Sequence, residues 1–242
     1  MLFNSIEFAV FLIVVFLLYW FIFNRRVHTR NLFIIAVSYI FYGWWDWRFL
    51  LLIAFTSLCS YLSGLTIGHY LDKGRRPAAR WACGANITVN LAILCLFKYY
   101  NFFMEEFASR FLGGDTSGML VKLILPVGIS FYTFQALSYS IDVYRRKLPP
   151  TRDITAFFAY IAFFPQLVAG PIERATNLLP QFGALHRFDY QAAVDGMRRI
   201  LWGLFKKVIV ADSCAVMVNR VFADYTDLPG STLLIGAVLF AF

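Results

Sequence analysis

Apolar runs alternate with short basic clusters along the whole chain. Phe8–Phe23, Leu32 to about Trp45, Phe49–Ile67, Trp81–Phe97, Leu120–Ile141 and Ile154–Ala169 are the apolar runs. Several approach the roughly 20 apolar residues that cross a hydrocarbon core as a helix. Between them fall Arg25, Arg26 and Arg30, then Lys73, Arg75, Arg76 and Arg80, then Arg145, Arg146, Lys147 and Arg152. The three clusters fall on one side, which the positive-inside rule makes the inside, so the amino terminus is expected outside. The turn Gly43-Trp44-Trp45-Asp46-Trp47 sets three indoles where amphipathic rings prefer to sit, at a membrane–water interface.

Other stretches depart from this rhythm. Tyr99–Gly118 mixes Phe102, Phe103, Phe107 and Phe111 with Glu105, Glu106 and Arg110. Its near-helical spacing predicts a helix lying in the outer interface, ended by Gly113-Gly114-Asp115. Glu173–Arg199 is polar enough for a loop with short helices on the cytoplasmic side. Ile200–Val221 is apolar but holds Lys206, Lys207 and Asp212, charges that are costly on a lipid-facing helix. It is expected inside the bundle, or tilted so that the lysines reach the interface. Leu233–Phe242 is about half a span with no polar cap, and reads as an interrupted segment of a longer polypeptide.

Composition agrees with the pattern. The chain has 242 residues, of which 60% are hydrophobic, against about 45–50% for a soluble domain. The expected fold class is therefore all-α, a polytopic transmembrane helical bundle in a single membrane domain. The net charge of +8 follows from basic loops at helix ends, so topology explains it and no nucleic-acid partner is expected. Cys59, Cys83, Cys95 and Cys214 are scattered and form no CxxC pair, so no metal site and no disulfide is expected. Glu7 and the arginines after the first run, instead of before it, mark an uncleaved first span rather than a signal peptide.

Candidate chemistry concentrates in residues 125–174. On a helix, Tyr132, Gln135, Tyr139 and Asp142 form one stripe with Ser138 beside them. Such a stripe is either the polar wall of a tunnel or a hydrogen-bonded seam between helices. Downstream, Pro165, Gln166, Gly170, Pro171 and Arg174 belong to Phe163-Phe164-Pro165-Gln166-Leu167-Val168-Ala169-Gly170-Pro171-Ile172-Glu173-Arg174. Each proline removes a backbone donor and disfavours helix before it. The stretch either lines a cavity with free carbonyls at membrane depth or ends a helix at the cytoplasmic surface. His28, His69 and His186 lie in loops or at segment ends, and no neighbour suggests a base–nucleophile pair.

These segments carry a resemblance. LPVGISFYTFQALSYSIDVYRR, FFPQLVAGPIER, YIFYGWWDWRFL, FKYYNFF and the Arg198–Asp212 region resemble the amino-terminal half of membrane-bound O-acyltransferases, in the branch of alginate O-acetyltransferase-like proteins. The resemblance implies helices around a tunnel in a thinned bilayer of the bacterial inner membrane. It also implies a cytoplasmic acyl donor such as acetyl-CoA as substrate, no bound cofactor, periplasmic acetyltransferase partners and an exported polysaccharide as acceptor. The family's Trp-His-Gly-type segment, which holds its key histidine, has no counterpart here, so no catalytic residue is carried over. The chain by itself is expected to be inactive. The ten residues named above are then expected to shape the cavity. Rival readings are a transporter, which would need a second inverted bundle, and a non-catalytic scaffold, which would tolerate alanine at Gln135, Gln166 or Asp142.

Overall fold

The computed structural model describes residues 3–111, 124–168, 170–171, 173–226 and 228–241, the side chains of 104–111 excepted. Every regular element among them is helical, so the all-α class holds. The chain divides into two compact units, one of Ile13–His186 and one of Arg187–Phe242 with Leu2–Leu12. Among the described residues three stretches have the length and apolarity of membrane spans, namely Ile6–Phe23, Arg48–Asp72 and Arg76–Phe103.

The first span is helix α1 (Ile6–Leu18) continued by a π turn over Tyr19–Phe23, and no residue of either is buried. Helix α2 (Val27–Asp46) buries Arg30, Asn31 and Ser38 beside Ile34 and Phe41. Helix α3 (Arg48–Asp72) and helix α4 (Arg76–Phe111) follow, joined through Gly74, whose φ of 70° suits a residue without a Cβ. Between Lys98 and Phe111 there is neither proline nor glycine, so α4 continues through the start of the expected interfacial helix instead of breaking. The rest of that stretch, with Gly113-Gly114-Asp115, lies outside the described residues, as does the start of the Leu120–Ile141 run.

Helix α5 (Ile129–Tyr144) starts later than the apolar pattern predicts. Gly128 holds φ at 77°, a left-handed conformation that ends helical continuity on its amino-terminal side. A Cβ on Gly128 would come within 2.2 Å of the Leu167 carbonyl oxygen, so only glycine allows the two backbones to pass this closely. The hydroxyl of Tyr42 donates to the Val127 carbonyl (2.7 Å) and holds the turn in place.

Helix α6 (Ile154–Ala162) is capped by Asp153, whose Oδ1 accepts from the amides of Thr155 (2.9 Å) and Ala156 (3.1 Å). Seven of its nine residues are buried, and it packs against α2, α3, α5 and helix α8 (Ala175–Gly183). The prolines were expected to interrupt the Ile154–Ala169 run, and its helix ends at Phe163, because a proline four residues after Ile161 can neither donate to that carbonyl nor avoid its bulk. A four-residue helix, α7 (Phe164–Leu167), follows the break. The C-terminal end of α8 is held by Arg30, which is 1% exposed and donates to the carbonyls of Gln181, Phe182 and Ala184.

In the second unit, helix α9 (Tyr190–Phe205) runs through a π turn (Lys206–Ala211) into helix α10 (Asp212–Ala223), and α10 pairs with helix α11 (Gly230–Phe240). Gly236 allows that pairing, since a Cβ there would sit 2.7 Å from Val221. Lys206 and Lys207 are exposed, and Lys207 forms an ion pair with Asp212.

Candidate functional site: a hydrogen-bonded seam beside a proline break

Burial of the α5 stripe follows from its 3.6-residue spacing. Tyr132, Gln135, Tyr139 and Asp142 are all buried, and Ser138 is half-buried. Tyr132 and Tyr139 are completely inaccessible, and so is Tyr160 of α6. Burying hydroxyls and amides this deeply costs free energy unless they find partners.

The break at Phe163 supplies one such partner. In an unbroken helix the Tyr160 carbonyl would accept from the Phe164 amide, but that amide donates to Ser38 Oγ (3.2 Å) on α2. The Tyr160 oxygen is left for side chains, and two reach it: Gln135 Nε2 at 3.3 Å and Gln166 Nε2 at 3.1 Å. Two glutamines 31 positions apart thus meet on one carbonyl that a proline set free. Nearby, Ser138 Oγ donates to the Gln135 carbonyl (2.9 Å) and the Tyr160 hydroxyl donates to the Glu173 carbonyl (3.3 Å). The Tyr132 hydroxyl is buried with no partner among the described residues.

Gln135 and Gln166, with Phe131 and Pro171, line a narrow crevice with no room for a water molecule. Pro165, Gly170 and Arg174 are exposed, and Gly170 has open space where a side chain would be. Tyr139 belongs to a different contact. Its hydroxyl accepts from the Thr151 amide (3.1 Å), and its ring lies 4.7 Å from that of Phe157. Asp142 is buried near the C-terminal end of α5, where its carbonyl accepts from the Lys147 amide (2.9 Å). The ten expected residues therefore split. Gln135, Gln166 and Pro171 share the crevice, Ser138 adjoins it through the Gln135 carbonyl, and Tyr139 anchors the loop before α6.

Two polar constellations escaped the sequence reading. Asn86 and Asn90 of α4 join Ser60 of α3 and Ser140 of α5 in one network, with Asn86 Nδ2 donating to Ser140 Oγ (2.8 Å) and Asn90 Nδ2 to Asn86 Oδ1 (3.1 Å). Two asparagines four apart in an apolar run were the available signal. The other is Arg30, which looked like a loop cation and is a buried clamp on α8. Among the described residues no cluster of His, Cys, Asp and Glu could hold a metal. His28 meets Thr155 through its Nδ1 (3.2 Å), His186 meets the Gln181 carbonyl, and His69 lies beside Tyr70, so the three histidines serve separate local contacts.

What the fold and the seam define is an all-helical, multi-pass membrane protein with a polar contact built at a broken helix. Comparison with known proteins narrows this. Over 236 residues, 97% of its length, the chain is 38% identical to "Probable alginate O-acetylase AlgI" of Pseudomonas putida and covers 47% of that protein. It is 38% identical over 238 residues to the protein of the same name in Pseudomonas aeruginosa, covering 44% of it. A "Peptidoglycan O-acetyltransferase" of Helicobacter pylori is 29% identical over 224 residues, with 41% covered. No family model and no solved structure matches the chain. The resemblance to membrane-bound O-acyltransferases of the alginate O-acetylase branch is thus shown along nearly the whole chain, which spans less than half the length of these relatives.

Proposed function

We propose that the chain forms part of a membrane O-acyltransferase that passes an acyl group, acetyl in the first instance, from a cytoplasmic donor such as acetyl-CoA to an exported polysaccharide. The observation that carries this reading is the 38% identity, over 97% of the chain, to a protein named as an alginate O-acetylase. In this proposal the protein sits in the bacterial inner membrane with its amino terminus outside, and periplasmic acetyltransferases take the acyl group onward. Basic loops on one face support that orientation.

The chemistry breaks a thioester C–S bond and forms an ester C–O bond, with a proton moving from the acceptor hydroxyl towards the departing thiolate. A general base is needed near neutral pH. In this reading it is the histidine of a Trp-His-Gly segment, which the 242 residues do not contain. The role left to this chain is positioning. Gln135 and Gln166 present amide groups at the crevice, and their shared hold on the Tyr160 carbonyl fixes where those groups point. A water-excluding site strengthens each such polar contact.

The test is reconstitution in liposomes with radiolabelled acetyl-CoA and a soluble polysaccharide acceptor. The complete reading frame is expected to form alkali-labile acetyl esters, and the 242-residue chain to give no turnover above empty liposomes. Ester formation by neither, with polysaccharide crossing the bilayer unmodified, would contradict the proposal in favour of transport.

A further inference from the structure

Away from the glutamine seam, the junction of α3, α4 and α5 holds an unused basic groove. Its larger part, about 670 Å³, is lined by Arg76, Pro77, Arg80, Trp81 and Gly84 of α4 and by Tyr144 of α5. A second hollow of about 230 Å³ adjoins it through Arg76 and Tyr144 and adds Leu71, Arg145 and Arg146. Ligand sites commonly enclose about 300–1,000 Å³, so the groove is large enough to hold a molecule.

Four arginines line the two hollows, and none of them forms an ion pair among the described residues. Among the described residues ion pairs form at Arg48–Asp46, Arg199–Asp195 and Lys207–Asp212, none of them in the groove. Arg146 is committed elsewhere, since its Nη2 donates to the Leu71 carbonyl (2.8 Å) and ties the end of α5 to the end of α3. Arg76, Arg80 and Arg145 keep their charge for something else.

The shape of the groove says what that is. Arg76, Arg80 and Gly84 are spaced i, i+4 and i+8, so they stack along one face of α4 over roughly 12 Å. Arg76 opens a span, which puts the cationic end at the membrane boundary on the basic-loop side and Gly84 two turns towards the hydrocarbon. Above Gly84 an added Cβ would meet nothing within 4 Å. The indole of Trp81, 81% exposed beside this slot, is of the kind that settles at headgroup level. A cationic mouth leading into an apolar slot along a spanning helix matches an amphiphile with an anionic head and a hydrocarbon tail. A nucleotide would use the mouth and leave the slot empty.

We infer that this groove binds one anionic glycerophospholipid of the inner leaflet, its phosphodiester on Arg76, Arg80 and Arg145 and an acyl chain in the slot beside Trp81 and Gly84. The site is independent of the acyl-transfer reading. The test is native mass spectrometry of the purified protein with phosphatidylglycerol and phosphatidylcholine offered in equal amounts in detergent. One phosphatidylglycerol is expected to be retained preferentially. Arg76→Ala and Arg80→Ala should each lower that preference roughly fivefold, the attraction of one basic side chain to an anionic lipid. Gly84→Leu leaves every arginine in place and suits a helix with open space beside it, and it is expected to expel the lipid. Arg25→Ala, an equal loss of exposed charge elsewhere, should change nothing. Equal retention of the two lipids, an equal effect of Arg25→Ala, or displacement of phosphatidylglycerol by coenzyme A would overturn the inference, the last in favour of a nucleotide phosphate.

Discussion

Helices α5 and α9 are each 16 residues long, yet ten residues of α5 are buried and none of α9. Both are amphipathic, so the difference lies in what each has been given to pack against. The α5 helix meets α3, α4, α6 and α8, and Gln135, Tyr139 and Ser140 each find a partner on a neighbouring segment, while the Tyr132 hydroxyl finds none among the described residues. On α9, Leu201, Trp202 and Phe205 stay exposed while Arg199 pairs with Asp195 on the surface. In water such an apolar face would be a liability, but in a bilayer hydrocarbon is the solvent and exposure costs little. The lesson is that burial in this protein marks helix-to-helix specificity, and apolar character alone marks only the membrane.

Glycines break this comparison most sharply. Gly128→Ala forces a side chain into a left-handed backbone and against the Leu167 carbonyl, and is expected to cost about 2–4 kcal/mol from strain and overpacking. Gly196→Ala on α9 meets nothing within 4 Å and should be neutral or stabilise by up to about 1 kcal/mol. Thermal unfolding in one detergent measures both. If Gly128→Ala melted like Gly196→Ala, the close passage of α5 and α7 would be wrong.

Charges come next. Arg30→Ala strips three carbonyls at the end of α8 of their buried donor and should cost about 2–4 kcal/mol. Arg199→Ala removes an exposed pair and should cost about 0–1 kcal/mol. Equal losses of melting temperature would show that Arg30 is not a buried clamp. Within the bundle, Asn86→Ala removes the bond to Ser140 across the α4–α5 contact and those from Ser60 and Asn90, at about 0.6–2 kcal/mol for each interhelical bond lost.

The smallest expected effect is one of pH. Burial pushes the Asp153 carboxyl up, but the bonds from Thr155 and the Ala156 and Thr155 amides together outweigh it and hold it below the usual carboxylate range. Stabilisation from this cap is therefore full above the ordinary aspartate pKa and disappears as the pH falls through the lowered one. Asp153→Asn should flatten that part of an acid-unfolding curve. A curve identical to that of the unsubstituted protein would remove the cap from the account.

Much of the fold could be read in advance because lipid imposes one period on every helix. The α5 stripe is legible for that reason, as are the basic loops that bound the spans. Positions decided by tertiary contact were not. Nothing local distinguishes Arg30, a clamp, from Arg25, an exposed loop cation. The proline break was visible at Pro165, but its consequence was not, since the freed carbonyl belongs to Tyr160 and its partners come from α5 and α7. Tyr139 and Asp142 share a helical face with Gln135, yet a stripe long enough to cross several neighbours serves a different one at each turn.

The proposed function requires that Gln135 and Gln166 do more than join helices, and that the narrow crevice beside them widens when an acyl group passes. The direct measurement is the initial rate of acetyl-ester formation by the complete protein carrying both Gln135→Leu and Gln166→Leu, beside its melting temperature. A drop of about tenfold or more with little change in melting, equivalent to about 1.4 kcal/mol of transition-state stabilisation, is the predicted result. An unchanged rate would contradict it and leave the seam a structural joint.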